Sequence, residues 1–95
     1  MMESSPALGS RISVNEDVLH QDLQGEAVLL NLKTGVYFGL DPIGTRVWQL
    51  FETHTVLSEI RDVIVAEYDV PAERCAQDLV ALIGDMQKNE LVTLS

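Results

Sequence analysis

Residues 35–51 read Gly35-Val-Tyr-Phe-Gly-Leu-Asp-Pro-Ile-Gly-Thr-Arg-Val-Trp-Gln-Leu-Phe51. This stretch decides the fold because it joins a short aromatic strand directly to an amphipathic helix. Residues 36–40 have the β-branched and aromatic content of a strand, with Val36, Phe38 and Leu40 on one face and Tyr37 and Gly39 on the other. Asp41 can accept a hydrogen bond from a first-turn amide. Pro42 suits the first helical position, where an N–H would have no intrahelical partner anyway. Ile43, Val47, Leu50 and Phe51 then recur at helical spacing, which predicts a helix over 42–52 with one apolar stripe.

Upstream, residues 26–32 form a stronger strand, with Val28, Leu30 and Leu32 on one face and Ala27 and Leu29 on the other, and this should be the central strand. The connection 33–35 contains a glycine able to take a positive φ, so the two strands should pair as an antiparallel hairpin. Residues 18–23 read as a first, polar strand, with His20 and Asp22 in it and Asp17 just before it, followed by a turn at Gln24-Gly25. Residues 12–14 suit an additional edge segment. Residues 1–11, rich in Ser, Gly and Pro, read as a mobile tail without assigned function.

Downstream, Leu57, Ile60, Ile64 and Tyr68 predict a second helix, with Thr55 or Ser58 as its cap and an end near residues 68–69. Pro71 sits where a third helix can begin, and Glu73 complements its positive end. Cys75, Leu79, Leu82, Ile83 and Met86 trace one face down to Lys88. Asn89 can adopt the left-handed conformation that ends a helix. Leu91, Val92 and Leu94 need cover, so the terminus should pack back on the core or add a short strand. The expected fold is α+β and winged helix-turn-helix-like, a small three-stranded antiparallel sheet followed by three helices. It should occupy residues 12–95 as one domain.

Ninety-five residues with 46% hydrophobic content suit one compact domain, since so short a chain has little core to divide. One cysteine, Cys75, excludes an internal disulfide framework and fits a reducing cytosol. The N-terminus lacks the basic start and long apolar core of a signal peptide, and no run approaches a membrane span, so a cytoplasmic protein without membrane contact is expected. Six Lys plus Arg against fifteen Asp plus Glu give a net charge of −9. Such a field repels phosphates and anionic lipid and attracts basic peptides, and it also serves solubility.

Chemistry finds little to stand on. Cys75 would need His20 or His54 beside it to act as a nucleophile, and a lone cysteine at an apolar helical position is ordinarily a packing residue. The histidines read as surface or turn residues, and no zinc, calcium or phosphate-loop spacing is present, so neither cofactor nor metal is expected. Trp48 reads as a core anchor. Three strands followed by three helices also describe winged-helix DNA-binding domains, but the third helix carries Glu73, Asp78 and Asp85 against Arg74 and Lys88. It would meet a major groove with net repulsion, so no nucleic acid is expected unless the fold gathers Arg46, Arg61 and Arg74 into a patch.

The run 27–51, Ala-Val-Leu-Leu-Asn-Leu-Lys-Thr-Gly-Val-Tyr-Phe-Gly-Leu-Asp-Pro-Ile-Gly-Thr-Arg-Val-Trp-Gln-Leu-Phe, with Ala-Glu-Tyr-Asp-Val at 66–70 and Asp78-Leu79, resembles the PqqD-like family of peptide-binding proteins. These are also called RiPP recognition elements, and the likeness is strongest to the free-standing leader-binding proteins of lasso-peptide clusters. It covers about residues 18–94. The family often has glycine where this chain has Glu90, a local departure. The resemblance implies a non-catalytic adaptor in which the third strand pairs with the leader segment of a precursor peptide and the third helix forms the other wall of the groove. Carried across, the backbone of Val36, Tyr37, Phe38, Gly39 and Leu40 would supply the ladder, and Leu79, Leu82, Ile83 and Met86 the apolar wall. The acidic heads of Glu73 and Asp78 would suit a basic leader residue or simply keep the helix soluble. Implied partners are the leader and a modifying enzyme, either a leader protease or, for the broader family, a radical-SAM maturase. An exposed edge strand also leaves room for a monomer or a weak or swapped dimer.

Overall fold

The computed structural model describes residues 8–95. Five strands and three helices follow in the order β1 (Ile12–Val14), β2 (Val18–Leu23), β3 (Glu26–Asn31), β4 (Tyr37–Gly39), α1 (Pro42–Leu50), α2 (Leu57–Tyr68), α3 (Ala72–Lys88) and β5 (Val92–Leu94). β2, β3 and β4 make an antiparallel sheet with β3 central, and β1 pairs with β5 in a separate antiparallel ribbon. The three-stranded sheet followed by three helices, α+β and of winged-helix kind, is as the sequence predicts.

Local chemistry explains the joints. Gln24 and Gly25, at φ 58° and 87°, turn β2 into β3, a pair of positive φ values that matches the twist of a two-residue hairpin. Gly35 takes φ 78° in the next connection, where its N–H donates to the Asn31 carbonyl at 2.7 Å. α1 starts on Asp41, whose Oδ1 accepts the Gly44 amide at 2.7 Å, with Pro42 in the first turn. The Thr45 hydroxyl, buried under the sheet, accepts the Ala27 amide at 2.8 Å and so pins α1 to β3.

β3 buries Ala27, Leu29 and Asn31, while Val28 and Leu30 are only half covered and Leu32, just beyond it, is exposed. Leu29 belongs to one core cluster with Ile60, Ile64, Leu79, Ile83 and Met86, and full burial of each such side chain stabilises the fold by about 1.5–3 kcal/mol. Trp48 is buried as expected, edge-on to Phe51 at 5.5 Å and to His20 at 6.3 Å between ring centroids.

Three details depart from the sequence reading. α2 is capped by backbone and by neither Thr55 nor Ser58: the Leu57 and Ser58 amides donate to the carbonyls of Ser10 and Leu8 at 3.1 and 2.8 Å. Of the tail expected over 1–11, residues 1–7 lie outside the described residues. Residues 8–11 are held by these bonds and by the reciprocal Arg11–Ser95 pair at 3.0 Å. Asn89 keeps φ −92°, and the left-handed residue is Glu90 at φ 57°. The Leu91 amide then reaches the Met86 carbonyl at 2.9 Å and the Glu90 amide the Gln87 carbonyl at 3.1 Å. That is the Schellman pattern, with a residue other than glycine in the position glycine usually fills.

Candidate peptide groove

β4 is one edge of the sheet, and the hydrogen-bond alternation shows which of its groups are unused. The Val36 carbonyl accepts the Asn31 amide at 3.0 Å and the Leu40 amide donates to the Ala27 carbonyl at 2.8 Å, with Phe38 opposite Leu29 between them. Residues 36, 38 and 40 therefore bond to β3, and the N–H and C=O groups of Tyr37 and Gly39 point to the open edge. Tyr37 is 71% exposed, and a Cβ built on Gly39 meets nothing within 4 Å. Phe38, on the other face, is half-buried against the core.

Two residues beyond β4, Asp41 lines a cavity of about 460 Å³. Ile43, Gly44 and Val47 of α1 line one side, Leu79 and Leu82 of α3 the other, and Val70 and Pro71 close the end. Asp78 and Arg74 stand at its polar rim, paired with each other at 3.1 Å one helical turn apart. The arrangement offers main-chain pairing beside an apolar trough, a combination that takes an extended peptide rather than a compact small molecule.

Of the residues singled out from sequence, Asp78, Leu79 and Leu82 line this trough; Tyr37, Phe38 and Gly39 form β4, shorter than the expected 36–40, with Val36 and Leu40 flanking it, and none of these five is in the lining. Ile83 and Met86 are fully buried. With no surface to offer, they belong to the core beneath the trough and not to its wall. Glu73 lies in the first turn of α3 outside the lining. Sequence reasoning missed Ile43, Val47, Val70 and Pro71. The sequence carried no signal for them: Ile43 and Val47 read as members of one apolar stripe, and only the fold leaves Ile43 42% exposed.

Cys75 also lines the trough, without either histidine among the lining residues. Burial pushes its thiol pKa up, the nearby Asp78 carboxylate acts in the same direction, and Arg61 opposes both. A thiol so placed stays protonated and is a poor nucleophile. The three arginines that a phosphate-binding patch would need are each paired with an acid: Arg46 with Glu67 at 2.7 Å, Arg61 with Asp62 at 2.9 Å, and Arg74 with Asp78. The hydrogen bond to Arg46 holds the Glu67 carboxyl below its ordinary pKa. No helix among the described residues is long and apolar enough to cross a membrane.

The PqqD family profile, coenzyme PQQ synthesis protein D, matches residues 26–92. Among solved structures, TbiB1 in complex with the TbiA(beta) leader peptide is 38% identical, with a TM-score of 0.78 over 83% of this chain and 92% of that one. Lasso peptide synthetase B1 complexed with the leader peptide matches with a TM-score of 0.77 over 87% of this chain and 98% of that one. At 19% identity this second likeness speaks to the fold alone. Among curated proteins, none is significantly similar.

Proposed function

The chain belongs to the PqqD family, and from that premise we propose that it is a non-catalytic adaptor that binds the leader segment of a ribosomally made precursor peptide. The leader adds a strand to β4, its backbone pairing with Tyr37 and Gly39, and sets one or two apolar side chains into the trough between α1 and α3. The observation that carries this reading is the open edge of β4, followed two residues on by Asp41 in the lining of that trough. The likeness to TbiB1, which is held with a leader peptide, supports it.

Backbone bonds give affinity with little choice among sequences, so selectivity falls to the trough, lined by Ile43, Val47, Leu79 and Leu82. Asp78, at the rim of the trough, then sets register toward a Lys or Arg of the leader. For Asp78 this means exchanging Arg74 for the leader cation, a swap between exposed pairs worth about 0–1 kcal/mol. Tethering the leader raises the local concentration of the segment to be modified near the enzyme that acts on it. A leader protease of a lasso-peptide pathway is the favoured enzyme partner.

The test is titration of a labelled leader, from the precursor encoded beside this chain, against wild type and Leu82→Asp by fluorescence anisotropy. Saturable binding that the variant loses is expected. A folded wild type that binds no leader would reject the adaptor role.

A further inference from the structure

The proposed groove has two walls, the edge of β4 and the face of α3, and one buried side chain bonds both the turn that precedes β4 and the residues that follow α3. Asn31 closes β3 and is fully buried. Its Oδ1 accepts the amides of Lys33 and Thr34 at 2.9 and 3.2 Å, shaping the turn that leads into β4. Its Nδ2 donates to the carbonyls of Glu90 and Asn89 at 2.9 and 3.4 Å, the residues that terminate α3. A carboxamide supplies two donors and an oxygen with two lone pairs, and here every one of them is used. An apolar residue in its place would leave amides and carbonyls of both elements without these partners.

We propose that Asn31 is the positioning residue of the groove: its carboxamide ties the turn before β4 to the C-terminal end of α3 and fixes the spacing that a bound peptide must fill. The inference rests on the peptide-binding reading above. An added strand must lie about 4.8 Å from β4 while its side chains seat against α3. Both conditions hold together only when the two walls keep their separation. Asn15 provides the contrast, since its Nδ2 donates to the same Glu90 carbonyl at 3.0 Å but from the β1–β2 connection, without touching the turn before β4.

The experiment titrates the labelled leader against wild type, Asn31→Asp and Asn15→Ala, at a temperature where circular dichroism shows each to be folded. Aspartate keeps the acceptor for the turn amides but turns an oxygen toward the two carbonyls that Asn31 bonds. Asn31→Asp should lose about tenfold in affinity per folded molecule, and Asn15→Ala should stay within about threefold. The amide resonances of Tyr37 and Gly39 should shift in Asn31→Asp and not in Asn15→Ala. Should Asn31→Asp fold poorly, the same pair is made in a Glu90→Gly background, which relieves the left-handed backbone and keeps the carbonyl. A folded Asn31→Asp that binds as wild type, with unmoved β4 resonances, overturns the inference alone. A wild type that binds no leader overturns the peptide-binding reading and this inference with it.

Discussion

Proline at position 37 separates main-chain recognition from side-chain recognition. The Tyr37 N–H points away from β3, because residues 36, 38 and 40 carry the bonds to it. Proline there removes a donor the fold does not use, and edge strands accept proline where the N–H faces solvent. The ring it replaces is 71% exposed, so little packing is lost. In a strand-added complex that N–H meets a leader carbonyl. Its loss leaves the carbonyl buried without a donor, at a cost of about 1–3 kcal/mol, or about 5- to 150-fold in affinity. Tyr37→Ala keeps the N–H and drops only a cross-strand contact worth about 0.2–1 kcal/mol, at most about fivefold. Anisotropy titrations give the affinities, and thermal melts confirm that both variants are folded. Phe38→Pro is the destructive control, since the Phe38 N–H faces Leu29. If Tyr37→Pro and Tyr37→Ala bind equally well, the leader does not pair with this edge.

Glu90→Gly should stabilise the protein. The left-handed backbone costs a non-glycine residue about 1–2 kcal/mol, glycine adds about 0.4–1 kcal/mol of unfolded-chain entropy, and the balance of about 0–1.6 kcal/mol raises Tm by up to about 13 °C; a lower Tm contradicts the strain argument. Glu67→Gln should lower Tm at neutral pH. Because Arg46 depresses the Glu67 pKa in the fold, the stabilisation is present above the ordinary carboxylate pKa and is lost as pH falls through the lowered value. The gap to wild type should therefore close in acid, and a gap that stays constant into acid refutes it. Cys75→Ala should leave leader affinity within about threefold, and the native thiol should react with iodoacetamide more slowly than in the unfolded chain, since burial keeps it protonated. Fast alkylation of the folded protein would count against that placement.

The strand-to-helix join was legible because unlike signals agree there: alternation up to Leu40, then a cap at Asp41, proline and a helical period. β3 was readable as central but not as to which face is inner, since Val28 and Leu30 are as apolar as Ala27 and Leu29. The face that the structure buries also carries Asn31, a residue whose polarity argues for the opposite choice until its partners on α3 are seen. The helical stripe of α3 likewise named Leu79, Leu82, Ile83 and Met86 together. A period of 3.6 marks the stripe and cannot say which margin turns toward a cavity, a matter set by where α1 and the loop at Val70 and Pro71 stand. The cap of α2 was out of reach for the same reason, because its partners lie about fifty residues away in sequence.

β2 and β4 are both edges of the sheet, and the proposed groove uses only one of them. β2 is the longer, six residues against three, so hydrogen bonding alone would favour it. Its outward backbone groups belong to Val18, His20 and Asp22, because Leu32, beyond β3, bonds to Asp17 and fixes the alternation. The Val18 amide already donates to the Asn15 carbonyl at 3.2 Å, Asp22 sets a carboxylate beside the edge, and the His20 ring lies against Trp48. Polar and charged side chains on an edge discourage a further strand. β4 carries no charge and is followed two residues on by Asp41 at the trough, so in the proposed complex a peptide added there gains side-chain burial as well as backbone bonds. His20→Pro therefore removes an outward N–H of the same kind as Tyr37→Pro, but on the edge that the proposed complex leaves free. Its affinity should stay within about twofold of wild type while Tyr37→Pro loses at least about fivefold. A folded His20→Pro that binds as weakly as Tyr37→Pro would place the leader elsewhere on the sheet and leave the trough without its role in selection.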